Sequence, residues 1–438
     1  MTATTDDARK PGQPVRSAMD AISYTDLYRR WEENPWKATG IDFSADRVGW
    51  DALTDMQRRS AMWIYSMFFY GEEAVAENLS PYIDAAPSEE QKHFLATQQV
   101  DEARHAVFFN RFFHEVLGTG ESMAAGLAHT QPHLGWGYRG VFDRLDRMAE
   151  DLRGDRSLPN FARAIALYHL VVEATLAQPG QHYIEDFFMK SGSMPGFSEG
   201  MKNVARDEQR HIGFGVKTLS ELFAESDECK QAVVELLREV LPFALATFQP
   251  PDGDRDYTRC YGFELEDIYG FGLRSIRAKW AQTGYPVEDM PGVLPLEHGD
   301  DIEALVARQL RLLDAGVLGE PNGSPDGSPQ VLRDYFDTLA GLAVKDAAGA
   351  EPLTIQWRFR DAEPWYLRID NGSTHAAAGI APSADVKLDT SWSDWVEFSM
   401  HGGSPFQALL KRKLRPRGSL GDLRRLGRVF PPRPNALG

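Results

Sequence analysis

The sequence predicts an all-α helix bundle over residues 1–318 and a smaller α+β domain over residues 331–438, joined by a linker at 319–330. Three observations carry that prediction. Apolar residues recur at helical spacing through long runs between Thr54 and Leu313, with no strand of consequence before Glu351. One motif, Asp101-Glu102-Ala103-Arg104-His105, returns about a hundred residues later as Asp207-Glu208-Gln209-Arg210-His211. Beyond a stretch rich in Gly, Pro and Ser the period shortens, and four short runs follow at hairpin spacing.

The first long helix is expected from Thr54 to Ile83, with Pro87 stopping the chain. Ser88-x-x-Gln91 is a capping-box opening for the second, which runs to about Leu117 and ends at Gly118. A mixed connection over Ala124–Gly154 holds one helix near Val141–Leu152. The third long helix starts near Pro159, a good first-turn residue, and Pro179-Gly180 should kink or interrupt it. The fourth begins near Pro195 and continues to Phe223, and three more helices follow near Asp227–Phe248, Glu264–Gln282 and Asp301–Leu313. In the second domain a helix at Leu332–Val344 precedes strands at Thr354–Arg360, Trp365–Ile369, Thr374–Gly379 and Val386–Thr390. Helices at Trp392–His401 and Phe406–Leu410 and an extended piece at Leu414–Ser419 complete it.

Composition excludes several classes. No apolar run is long enough to span a bilayer, and the polar stretch Met1–Val15 is no signal peptide. Cys229 and Cys260 stand far apart, which rules out a disulfide framework and favours a reducing cytoplasm. A formal charge of −17 argues against nucleic acid as a partner. The charge is uneven: from Val331 onward there are 15 Lys+Arg and 12 Asp+Glu, leaving −20 on the first 330 residues.

Each copy of the repeated motif sets a Glu and a His three apart, on one face of a helix. A helix-bundle di-metal site needs two such helices and one further Glu from each of two others. Thirty residues before Glu102 lies Glu72, beside Glu73, in an otherwise apolar run; thirty-five before Glu208 lies Glu173 in another. The metal set is therefore Glu72, Glu102, His105, Glu173, Glu208 and His211. Four carboxylates and two imidazoles, without sulfur, suit iron or manganese. Such a pair can reduce dioxygen and oxidise something inert. Asp101 and Asp207, adjacent to ligands, are candidates to orient the histidines. His169, four before Glu173, reads as a packed or hydrogen-bonded histidine, not a seventh ligand.

Residues from about Leu27 to Phe223 resemble the ribonucleotide-reductase small-subunit superfamily of ferritin-like proteins, and within it the ligand-binding oxidases. The resemblance lies in Gly71-Glu72-Glu73-Ala74-Val75, the two Asp-Glu-x-Arg-His motifs and Tyr168-x-x-Val171-Val172-Glu173. It selects Glu72 over Glu73. It implies a manganese–iron or di-iron centre, a long-chain fatty acid beside it, and a dioxygen-dependent ether cross-link between Val75 and Tyr168. Five residues turn Tyr168 about 140° from Glu173 in a regular helix, so the cross-link requires a local bulge or an approach from the flank. The chain departs from the family pattern at Gln181, where an aromatic is expected. A true reductase subunit, the nearest alternative, carries a radical Tyr where this chain has Phe109. The other alternative is a lipid- or metal-binding protein without turnover.

Residues from about Val331 to Pro432 resemble, more distantly, the sterol-carrier-protein type two fold, through the strand succession, Asp385–Thr390 leading into a Trp-rich helix, and the late Leu414–Leu423 stretch. That resemblance implies an apolar lipid tunnel. The basic stretch Lys411–Arg417 is a solvated face or a contact for phosphate, an acidic lipid head or a membrane surface. The expected partners are a lipid or fatty acid, dioxygen, an unidentified electron donor and a second copy of the chain in a homodimer.

Overall fold

The computed structural model describes residues 22–285, 301–321, 323–349, 351–401 and 405–430; Met1–Val15 lies outside them. The four long helices form where expected. The first, Asp55–Asn78, opens on a capping box between Thr54 and Gln57, and the second, Glu89–Phe112, on the box between Ser88 and Gln91. A π-helical turn, Phe113–Leu117, extends the second, and Gly118 closes it with φ 75°. Such a left-handed cap favours glycine. The fourth, Pro195–Glu225, is the longest.

Two expectations need correction. The first helix does not reach Ile83: it ends at Asn78, and Ser80–Ala85 forms a separate short helix with Pro81 in its first turn. The third is not broken at Pro179-Gly180. It runs as Leu158–Ile165, then a twelve-residue π-helix, Ala166–Ala177, then Gln178–Ser191. The wider π bonding ends just where the proline lacks an N–H, so the helix absorbs Pro179 without stopping. Within the connection the helix is longer than its apolar pattern suggests, Trp136–Gly154, and Met123–Thr130 forms another. Helices Asp227–Ala246, Leu265–Gln282 and Ile302–Asp314 pack around the four.

The second domain opens with helix Pro329–Leu342. Its strands β1 (Leu353–Phe359), β2 (Trp365–Asp370), β3 (Ser373–Ala378), β4 (Val386–Thr390) and β5 (Arg415–Arg417) form one sheet in the order β3-β2-β1-β4-β5. β1 pairs antiparallel with β2 and parallel with β4, so the chain crosses the sheet between β3 and β4. The buried amide of Gln356 anchors that crossing, donating to the carbonyls of Trp357, Trp365 and Gly379 and accepting from the Ala381 N–H. Helices Trp392–Met400 and Leu420–Val429 flank the sheet, the latter capped by Ser419. That last helix escapes the sequence reading because Arg424, Arg425 and Arg428 dilute its apolar period.

The stretch between the domains is tied at both ends. The Asp326 N–H donates to Ala315 O (2.8 Å), and Trp392 Nε1 donates to Asp326 O (2.8 Å). Arg311 of the bundle grips Asp334 of the second domain with two bonds, at 2.6 and 3.1 Å. No helix among the described residues is long and apolar enough to cross a membrane.

Candidate metal centre

Six acid and imidazole side chains meet in the middle of the bundle, all buried. The helix periods bring them there. Glu72 shares its face with Phe68, Phe69 and Val75, and Glu173 lies in an entirely buried run from Ala166 to Ala174. Donor atoms of Glu72, Glu102, His105 and Glu208 all lie within 4.8 Å of one another, and so do those of Glu102, Glu173, Glu208 and His211. The two sets share Glu102 and Glu208. That is the arrangement of two cation sites bridged by two carboxylates.

The donor set fits a pair of ions. Glu173 Oε2 and Glu208 Oε2 are buried with no hydrogen-bond partner, and His211 Nδ1 is 3.1 Å from Glu102 Oε1 without a hydrogen-bonding angle. Burial pushes the Glu72 carboxyl up to about 7 against the pull of His105, and the Glu173 carboxyl up to about 8 against that of His211. Burial, then repulsion from Glu173 and Glu102, carries Glu208 well above the usual carboxylate range. For Glu102, burial is outweighed by His211 and His105, which hold it well below that range. Four buried carboxylates at such distances repel one another unless cations separate them.

Each imidazole turns Nδ1 toward the carboxylates and Nε2 away. His105 Nε2 lies 3.4 Å from Asp207 Oδ2, and His211 Nε2 lies 3.2 Å from Asp101 Oδ2. The bracing is crossed: the Asp of each motif orients the His of the other. Trp31 Nε1 donates to Asp101 (2.9 Å) and Trp36 Nε1 to Asp207 (2.7 Å). Arg210 bonds both aspartates, and Arg104 lies 2.9 Å from Asp101 and 3.7 Å from Asp207. Burial opposes ionisation of Asp207, but bonds from His105 and Trp36 hold it well below the usual range. Every shared position of the Asp-Glu-x-Arg-His motif therefore has a task. The sequence could signal the arginines only through their repetition, and Trp31 and Trp36 not at all.

The π-helix resolves the position of Tyr168. Its i→i+5 bonding places residues five apart nearly over one another, and Tyr168 Oη donates to Glu102 Oε1 at 2.7 Å. His169 stands outside both donor sets. It lies 3.0 Å from Gln98 Oε1, and the Gln98 amide donates to Glu173 Oε1 at 2.9 Å. Gln98, one helical turn before Glu102, is a site residue that sequence reasoning missed, since an amide in a polar stretch carries no signal. Phe109 is buried and stacks on Phe68, so no phenol stands there. Gln181 is buried, and Tyr183 stacks on Phe263.

A largely apolar cavity, partly open to solvent, adjoins the cluster. Glu72, Glu102, Glu173, Glu208 and Tyr168 give it a polar wall; Val75, Met67, Phe68, Tyr138, Phe142 and Phe248 are among the rest. Gly71 keeps its wall thin, because a Cβ there would lie 2.9 Å from Tyr138 Oη.

Residues 18–243 match the sequence family described as ribonucleotide reductase, small chain, and residues 341–431 match the SCP-2 sterol transfer family. Among similar solved structures are two variants of an R2-like ligand-binding oxidase with aerobically reconstituted Mn/Fe cofactor. Both are 25% identical and cover 60% of this chain and 93% of their own, with TM-scores of 0.54 and 0.52. Variants of that oxidase replace a glycine, the glutamate after it, a valine three further on and a tyrosine 90 residues beyond the valine. Gly71, Glu72, Val75 and Tyr168 repeat those types at nearly that spacing.

Proposed function

Because the chain belongs to the ribonucleotide reductase small-chain family, we propose that it is a dioxygen-using di-metal oxidase that holds a long-chain fatty acid or similar lipid beside its metals. The observation that carries the reading is the pair of overlapping donor sets opening onto an apolar cavity. Glu72, Glu102, His105 and Glu208 would hold one ion and Glu102, Glu173, Glu208 and His211 the other. The similar structures make manganese and iron the expected pair. Such ions supply the electrons that reduce dioxygen.

The protein's own groups prepare the rest. The apolar walls exclude water, and the acid head of a fatty acid suits the polar wall. Val75 and Tyr168 line the same cavity, which supports a cross-link between them. Its formation removes a hydrogen from the Val75 carbon and one from Tyr168 Oη, and joins carbon to oxygen. Dioxygen takes up the two electrons and two protons. The Glu102 oxygen already accepting the phenol hydrogen bond is placed to receive its proton. A reductase subunit would instead ask for a phenol at Phe109.

In this reading the second domain collects the lipid, and its tether raises the local concentration. Leu409 and Leu410 at the end of helix Pro405–Leu410 and Lys411 and Arg412 in the turn after it stand exposed, just ahead of Arg415 on edge strand β5. Apolar and basic side chains together at such a tip support contact with an anionic membrane surface.

Native mass spectrometry of the protein from its own host tests the assignment. Two ions, at least one of them iron, a bound lipid and a mass two hydrogens short are expected, with one joined peptide from the first and third helices. Tyr168→Phe should keep both ions and lose the joined peptide. Separate, unmodified peptides after full metal loading in air would remove the cross-link from the proposal. A single zinc ion would remove the di-metal assignment.

A further inference from the structure

The wall of the cavity that lies outside the four ligand helices and helix Trp136–Gly154 is the pair Thr247 and Phe248, just past the end of helix Asp227–Ala246. The first turn of helix Trp136–Gly154 crosses directly over it. A Cβ on Gly137 would fall 2.5 Å from Phe243 O and 2.7 Å from Thr247 N, so the two backbones touch there. Trp136 packs its ring on Phe243 at 4.5 Å and meets His401 of the second domain at 6.3 Å, edge to face. On the other flank, Gln249 lies against Gly319, where the chain leaves the bundle. A Cβ on Gly319 would come within 2.2 Å of Gln249 Oε1, and its φ is +87°. The Trp136–His401 contact with the next domain and the Gln249–Gly319 contact with the start of the linker therefore bracket the Thr247–Phe248 wall.

We infer that this junction is the port through which an acyl chain passes into the cavity, with Trp136 as its movable cover. The inference rests on the acyl reading of the cavity proposed above. Trp136 suits the part because it is held by ring packing at a helix N-terminus, without a hydrogen bond among the described residues. A chain handed across at this point would stay between apolar rings and the second domain, out of water. His401 closes the helix that begins at Trp392, so the cover is touched by the element that packs on the sheet of the carrier-like domain.

The test is the loading rate of a fluorescent polyene fatty acid into the full-length, metal-loaded protein, followed by stopped flow. Thr247→Trp should plug the port and slow loading about tenfold, whereas Trp136→Ala should speed it about threefold. Metal content and melting temperature report whether each variant folds. If Thr247→Trp fails to fold, Trp136→Ala carries the test: faster loading supports the port and an unchanged rate overturns it. A folded Thr247→Trp that loads at the wild-type rate overturns it too. So does slow loading in Ala177→Trp alone, because Ala177 is the partly exposed residue of the lining. A wild-type protein that takes up no fatty acid overturns the acyl reading itself, a result distinct from unchanged rates in a protein that binds.

Discussion

Glu72 and Glu173 hold the same place in the two halves of the bundle, each one helix ahead of a Glu-x-x-His, yet their backbones differ. Glu72 sits on a regular α-helix, where Val75 follows it on the same face. Glu173 sits in a π-helix, where Tyr168 five residues earlier is brought back to the cluster. The halves thus share the residues of the two donor sets and diverge at the residues that line the cavity. The repeated motif supplies most of the donor atoms, while the unrepeated backbone sets what else reaches them. π-Bonding costs helix regularity, and its placement beside a buried cluster agrees with the usual association of such turns with functional sites.

The largest expected effect breaks the symmetry at its shared members. Glu102→Ala or Glu208→Ala removes a donor common to both sets and should reduce bound metal from two ions to none. Glu72→Ala or Glu173→Ala should leave one. Elemental analysis against protein concentration distinguishes them, and equal losses in all four would mean the sets are not shared as the geometry has them.

A smaller effect sharpens the crossed bracing. Asp101→Asn should weaken the ion bound beside His211, and Asp207→Asn the one beside His105, each by about 10- to 100-fold in affinity. Competition with a chelator, read separately for the two ions, checks the crossing. If each substitution instead weakens the ion of its own motif, the bracing runs within motifs.

His169 separates the halves by pH, because the first half has no counterpart. Burial depresses its imidazole to about 3, while an unfolded histidine titrates near 6.5. Its contribution is then fully present above pH ~6.5 and is lost progressively as pH falls toward 3. Histidine-to-glutamine at 169 should flatten the acid side of the melting curve over that window. An unchanged slope would mean other groups govern it.

The smallest effect falls on the capping boxes that open both helices of the first half. Ser88→Ala should cost about 1 kcal/mol of stability, with metal content untouched. Denaturant melts of the wild type and variant check it, and loss of metal would mean that the cap also holds the site in register.

Much of this centre could be read before any coordinates, and the reason is repetition. Glu102, His105, Glu208 and His211 announce themselves by recurring in one pattern, and Glu173 by being the only acid in a run of apolar residues. The four β1–β4 strands and most helices follow from their periods. What stayed hidden depends on long-range geometry. Trp31 and Trp36 lie in a polar lead-in, 70 and 171 residues from the aspartates they bond. Gln98 looks like any helix-surface amide until the third helix covers it. The π-helix has no compositional sign, since its residues would suit an α-helix equally, and only Pro179 marks its end.

The crossed bracing also bears on the order in which the chain becomes competent. A polypeptide emerging from its N-terminus completes the first helical hairpin with Glu72, Glu102 and His105 in hand. Asp207, which fixes the ring of His105, lies 102 residues further on, and Glu208 must arrive with it. Neither cation site can therefore be finished by a half-made protein, and contacts of such sequence separation form late and slowly. Metal capture would then follow the meeting of the two halves and not template it. A nascent hairpin presents three donors of one set, Glu72, Glu102 and His105, and only Glu102 of the other, so the bridged pair would wait for the second half.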